Sequence, residues 1–108
     1  MLMKLTGISA SKGVVKGKSL VITDLTNLPV AVDGDYIVIA PFTTPTMNVI
    51  LLSAKGIICE TGGLTTHSAI IARELKIPCI VNAKEATSQI KNGQEIELNA
   101  DIGEIIIL

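Results

Sequence analysis

Three short runs of unbroken apolar residues recur along the chain: Tyr36-Ile37-Val38-Ile39-Ala40, Ile57-Ile58-Cys59 and Cys79-Ile80-Val81. Runs of this length without polar alternation predict strands covered on both faces. Between the first two, Met47, Ile50, Leu51 and Ala54 fall at helical spacing and predict one apolar stripe against a sheet. Thr44-Pro45 predicts the start of that helix, with the hydroxyl as N-cap and the proline where its missing N–H costs nothing, and Lys55-Gly56 predicts its end. A second helix is predicted from about Thr66 to Lys76, with His67, Ile71 and Leu75 four apart on one side. The imidazole then tops a stripe whose lower members are core. Arg73 and Lys76 in the last turn suit the helix dipole, and Pro78 prevents continuation. Strands alternating with helices predict an α/β fold with a mainly parallel sheet.

The flanks read differently. Residues 5 to 22 hold Gly7, Gly13 and Gly17 and lead into Ser19-Leu20-Val21-Ile22, predicting a loop followed by a strand with tight bends. Asp24 to Pro29 is a connection, and Asp33-Gly34-Asp35 a turn signal. Towards the end, Asn92-Gly93 and Asp101-Ile102-Gly103 bracket the alternating Glu95-Ile96-Glu97-Leu98, and Glu104 to Leu108 forms a last strand. These predict an antiparallel piece packed on the parallel one, with a short helical turn over Ala86 to Ile90 between them. Residues 1–108 read as a single domain without repeats, low-complexity tracts or a linker at either end.

Composition narrows the function classes. With 48% hydrophobic residues the chain can bury a real core, and with only Tyr36 and Phe42 as aromatics that core is aliphatic. Stacking platforms for single-stranded nucleic acid or sugars are not expected. A net charge of −1 with no basic run excludes a nucleic acid or an anionic membrane as the obvious partner. The absence of a long apolar run and of a secretory leader predicts a cytoplasmic protein. Cys59 and Cys79 sit in apolar runs and read as buried free thiols, and with His67 they match no metal-ligand spacing, so no metal site is expected.

The chemistry concentrates between Thr61 and Pro78, TGGLTTHSAIIARELKIP. The only histidine, His67, follows the Gly62-Gly63 pair and the hydroxyls of Thr65 and Thr66, past the carboxyl end of a strand, where α/β proteins tend to place ligands. A glycine turn leading into a helix start offers unpaired N–H groups and partial positive charge, a place for an anion. An imidazole there is a nucleophile able to carry a phosphoryl group. Each residue also has a plainer structural role. A helix-terminal histidine can be an ordinary capping or surface residue, Thr46 can finish the first turn of its helix, and Thr65 can be an N-cap. Arg73, six residues beyond the histidine and off its face, can be a dipole-matching cation, and both glycines suit the turn regardless of function.

GGLTTHSAIIAR, preceded by ETGG and followed by ELKIPCIV, resembles the phosphohistidine signature of the phosphoenolpyruvate-utilising enzymes: pyruvate phosphate dikinase, phosphoenolpyruvate synthase and enzyme I of the bacterial sugar phosphotransferase system. The similarity runs through GISASKGVVKGK near the start and NGQEIELNADIGEIIIL at the end. It implies a swivelling β/β/α three-layer domain, with a mainly parallel sheet, an antiparallel sheet and flanking helices, that moves between active sites. It also implies that His67 is the phosphoacceptor, with transfer at Nε2. Thr46 matches a family hydroxyl 21 residues ahead of the histidine that orients the ring, Thr65, Thr66, Gly62 and Gly63 frame it, and Arg73 matches the motif's arginine. Thr66 and Ser68 stand where serine and alanine are usual, while Lys76 and Asn82 replace glycines of the pattern, so the helix end is expected to differ in shape.

No Walker sequence, second histidine or magnesium-binding carboxylate cluster is present, so no cofactor is expected on this domain. The resemblance places magnesium and ATP or phosphoenolpyruvate on partner domains or subunits: a nucleotide-binding and a phosphoenolpyruvate- or pyruvate-binding part of a divided phosphotransferase. By itself the chain is not expected to turn over. Two functions of different class follow: a phosphocarrier cycling at His67, or a non-catalytic interaction or regulatory module that keeps the fold without phosphotransfer.

Overall fold

A computed structural model describes residues 3–29 and 34–108. Asp33 of the expected Asp33-Gly34-Asp35 turn lies outside the described residues. The described strands are β1 (Met3–Thr6), β2 (Ile8–Ser11), β3 (Val14–Val21), β4 (Tyr36–Ala40), β5 (Gly56–Cys59), β6 (Cys79–Val81), β7 (Glu95–Asn99) and β8 (Glu104–Ile107). They form one mixed sheet in the order β1-β8-β7-β3-β4-β5-β6-β2. The pairs β3/β4, β4/β5 and β5/β6 are parallel, and the remaining pairs antiparallel. The helices are α1 (Asn48–Leu51), α2 (His67–Leu75) and α3 (Ala86–Gln89).

The parallel and antiparallel parts join through β3, whose first half pairs with β7 and whose second half pairs with β4. Alternation along β4 then divides the core. Ile37 and Ile39, with Ile58 and Ile80, meet Ile96, Leu98, Ile105 and Ile107 of the antiparallel strands. Val38 and Ala40, with Ile57, Cys59 and Val81, meet Met47, Ile50, Leu51, Ala69 and Ala72 of the helical side. The result is the expected β/β/α arrangement of three layers, built from one continuous mixed sheet rather than from a mainly parallel sheet and a separate antiparallel one, because β3 pairs with both parts.

The N-terminal segment departs from the expected loop and single strand, since residues 3–21 make three strands. MKLT and ISAS are too mixed in polarity to announce themselves, and they are held by their partners β8 and β6. Gly7 is the bend between them, with its N–H 3.0 Å from the Gly103 carbonyl. A Cβ there would stand 2.5 Å from Ile80 and 2.7 Å from the Val81 carbonyl oxygen, so only glycine fits.

Two helical expectations are also corrected. The segment after Thr44 is a 3₁₀ turn (Pro45–Met47) running into the short α1, and the Thr44 side chain makes no capping bond. The expected stripe of Met47, Ile50, Leu51 and Ala54 is nonetheless buried. In α2 the fully buried face is Ser68, Ala69 and Ala72, while His67, Ile71 and Leu75 lie half-buried along its margin. Small side chains let the helix backbone approach β5 and β6 closely. Lys76 ends α2 in the left-handed conformation (φ 59°, ψ 41°) and Asn82 is left-handed as well (φ 56°), where the family pattern carries glycine.

Candidate phosphoryl-transfer site

The loops after β4 and β5 run side by side. The Glu60 N–H donates to the Ala40 carbonyl, and both the N–H and hydroxyl of Thr61 donate to the Pro41 carbonyl, at 3.1 and 2.9 Å. This pairing brings residues 43–48 against the start of α2. There the imidazole of His67 is engaged at both nitrogens: the Thr43 hydroxyl lies 2.7 Å from Nδ1, and the amide oxygen of Asn48 lies 3.1 Å from Nε2. Thr43 is buried and Asn48 half-buried, so the ring is fixed in direction by neighbours that are themselves packed.

Gly62 has φ +104°, and an added Cβ would meet the Thr66 methyl at 3.0 Å. The turn therefore needs glycine at this position on both counts. Gly63 is different: it has open space around it and no left-handed backbone, so the turn does not require it. Thr66 occupies the N-cap position of α2, but its hydroxyl turns back 2.8 Å to the Gly63 carbonyl and lies 3.3 Å from Ser68 Oγ. No side chain caps the helix, whose first closing bond runs from the Ile70 N–H to the Thr66 carbonyl. The amides of His67, Ser68 and Ala69 precede that bond, the arrangement that favours an anion at a helix start.

The other expected site residues lie elsewhere. The Thr46 hydroxyl is 2.8 Å from that of Thr44 and makes no bond to the ring, whose Nδ1 is taken by Thr43. Thr65 is exposed in the loop before α2. Arg73 Nε donates to the Ala10 carbonyl at 2.8 Å, fastening α2 to β2 rather than facing the imidazole. Glu60, next to the glycine turn but not an expected site residue, accepts through its carboxylate from the N–H and hydroxyl of Thr87 at 2.9 and 2.7 Å. Among the described residues, no group of three or more His, Cys, Asp or Glu side chains is placed to hold a metal ion.

Sequence reasoning missed Thr43 and Asn48. It also missed an apolar surround: Phe42, Val49, Leu64 and Ile70 are exposed, Val49 to 77%. Phe42 and Val49 adjoin Thr43 and Asn48 in the chain, Leu64 lies in the loop, and Ile70 is one helical turn beyond His67. The thiols lie beneath the site. Burial pushes Cys59 up to about 11, with Glu60 adding to the shift and a Ser68 hydrogen bond opposing it; burial also pushes Cys79 up strongly. Both are free and neutral at physiological pH.

Comparison with known proteins gives the family. Residues 32–103 match the family described as PEP-utilising enzyme, mobile domain. The chain is 40% identical over 104 residues to rifampicin phosphotransferase of Bacillus cereus, covering 96% of this chain. It is 37% identical over 99 residues to phosphoenolpyruvate synthase of Pyrococcus furiosus, covering 92%. It spans only 12% of the length of each of these relatives. Among solved structures, an Enzyme I domain (nEIt) superposes with a TM-score of 0.56 at 32% identity over 67% of this chain and 30% of its own. Aconitase X of Thermococcus kodakaraensis, at 20% identity with 98% of each chain covered, shares the fold with a TM-score of 0.77. No helix among the described residues is long and apolar enough to cross a membrane. This chain belongs to the mobile-domain family of the PEP-utilising enzymes.

Proposed function

We propose that the chain is a phosphocarrier whose His67 accepts a phosphoryl group at Nε2 and passes it to a second site. The observation that carries this reading is the placement of the sole histidine at an uncapped helix start, with Nδ1 held by a buried hydroxyl. Holding Nδ1 aims Nε2, and a neutral ring with its proton on Nδ1 presents a lone pair there. That lone pair attacks phosphorus as the bond to the donor's leaving oxygen breaks, and the oxygen keeps the electron pair. The ring becomes positive, its Nδ1–H donating to Thr43, and loss of that proton leaves a neutral phosphoimidazole. The oxygens of the new phosphoryl group meet the amides at the start of α2.

Donor and acceptor sites belong to other domains or subunits in this reading: a nucleotide-binding part and a phosphoenolpyruvate- or pyruvate-binding part, with magnesium held there. Alignment and charge neutralisation of a transferring phosphoryl group need a site that this fold does not build alone. The exposed Phe42, Val49, Leu64 and Ile70 suit docking of the carrier over a partner's active site. The test is labelling with phosphorus-labelled phosphoenolpyruvate and ATP in the presence of the partner domains. Acid-labile label on the wild type and none on His67→Ala supports the carrier; partner binding without label from either donor supports the regulatory module.

A further inference from the structure

We propose that Asn48 is the cap of the phosphoryl site, turning its amide to switch His67 between a resting and a reactive state. An amide oxygen only accepts, so the Asn48 Oδ1 contact at 3.1 Å places the ring proton on Nε2 and leaves Nδ1 accepting from Thr43. In this arrangement Nε2 has no lone pair to offer and is covered. The Thr43 hydroxyl donates or accepts equally well and imposes neither tautomer; Asn48 decides between them, because its two ends differ. Turning the amide presents an NH₂ in place of the oxygen. The ring proton then passes to Nδ1 through solvent, and Thr43 accepts from it.

When the amide swings aside, the Nε2 lone pair is free to form the bond to phosphorus as the donor's bond to its leaving atom breaks, the electron pair leaving with that atom: oxygen for phosphoenolpyruvate or ATP, nitrogen, departing as ammonia, for phosphoramidate. The same NH₂ is then within reach of a phosphoryl oxygen and donates to it. Asn48 is a half-buried polar residue at the first position of α1 and directly beside the exposed Val49, so a partner pressing on this surface acts on the cap. The inference deepens the phosphocarrier reading and rests on it for the physiological donor only.

The test uses the intact chain with phosphoramidate, a small donor that needs no partner, and compares wild type with Asn48→Ala and Asn48→Asp. Asn48→Ala uncovers Nε2 and removes the donor, so it should form phosphohistidine faster and lose it about tenfold faster, the worth of one hydrogen bond. Asn48→Asp can only accept, and should form it at least about tenfold more slowly. Ring nitrogen spectra of the sole histidine should show an Nε2–H proton protected from water in the wild type and Asn48→Asp, and exchanging rapidly in Asn48→Ala. Equal rates, lifetimes and exchange in all three would overturn the proposal, as would losses that follow the melting temperature alone. If the variants behave as stated while partner-driven labelling of the wild type fails, the cap stands and the carrier reading falls.

Discussion

The Thr43 hydroxyl lies 2.7 Å from Nδ1 of His67, a bond across 24 positions of chain that fixes the direction of the ring. Thr43→Val keeps the shape of this buried side chain and removes the bond. Stability should fall by about 1 kcal/mol, because one partner of a part-buried hydrogen bond is left unsatisfied. Phosphoryl acceptance should fall by more, about 10- to 100-fold, since a ring no longer held at Nδ1 presents Nε2 less often in line. Thermal melts and single-turnover labelling measure the two effects separately; loss of activity no larger than the loss of stability implies would remove the orienting role.

The two glycines before His67 should respond unequally to the same change. Gly62→Ala forces a Cβ onto a left-handed backbone and against the Thr66 methyl, and should cost about 1–3 kcal/mol in urea unfolding. Gly63→Ala meets neither obstacle and should change stability by less than about 0.5 kcal/mol. A large loss from Gly63→Ala would show that the loop differs from the one described.

Lys76 closes α2 with a side chain on a left-handed backbone. Lys76→Gly should raise stability by about 0.5–1 kcal/mol, relief of strain outweighing the extra freedom of glycine in the unfolded chain. Asn82→Gly should gain less, because asparagine tolerates that conformation better. Equal melting temperatures for wild type and Lys76→Gly would argue that a contact of the lysine offsets its strain.

The buried thiols predict an alkaline limit. With its folded-state pKa raised, Cys59 stays protonated when folded but loses its proton near 9 when unfolded, so the unfolded chain is favoured as pH climbs. Stability should be flat below pH 8 and fall from pH 9 towards 11, by roughly 1.4 kcal/mol per pH unit for this thiol. Cys59→Ala should flatten part of that fall. Urea titrations across this range check it, and a fall confined to acid pH would contradict it.

Much of this molecule was legible because local pattern and packing agree. The unbroken runs 36–40, 57–59 and 79–81 became the buried strands β4, β5 and β6, and the glycine turn, helix and histidine stand together as the motif implied. Thr43 and Asn48 were not legible, because their use depends on the loop after β4 lying beside the loop after β5. The 3₁₀ turn at Pro45 was not legible either, although the stripe Met47, Ile50, Leu51 and Ala54 is buried as its helical spacing predicts. The stripe of α2 differs from the expected one because of side-chain size. Alanines 69 and 72 carry the close contact to the sheet, and the larger Ile71 and Leu75 sit at the edge where there is room.

In the phosphocarrier reading, one nitrogen of His67 carries the phosphoryl group. Intact-mass spectrometry of the chain after incubation with its partner domains and phosphoenolpyruvate or ATP, followed by peptide mapping under alkaline conditions, tests it most directly. The expected result is one added phosphoryl group, located on His67, lost in acid, and missing from His67→Ala. Phosphate retained by that variant, or mapped to Thr65 or Thr66, would contradict it.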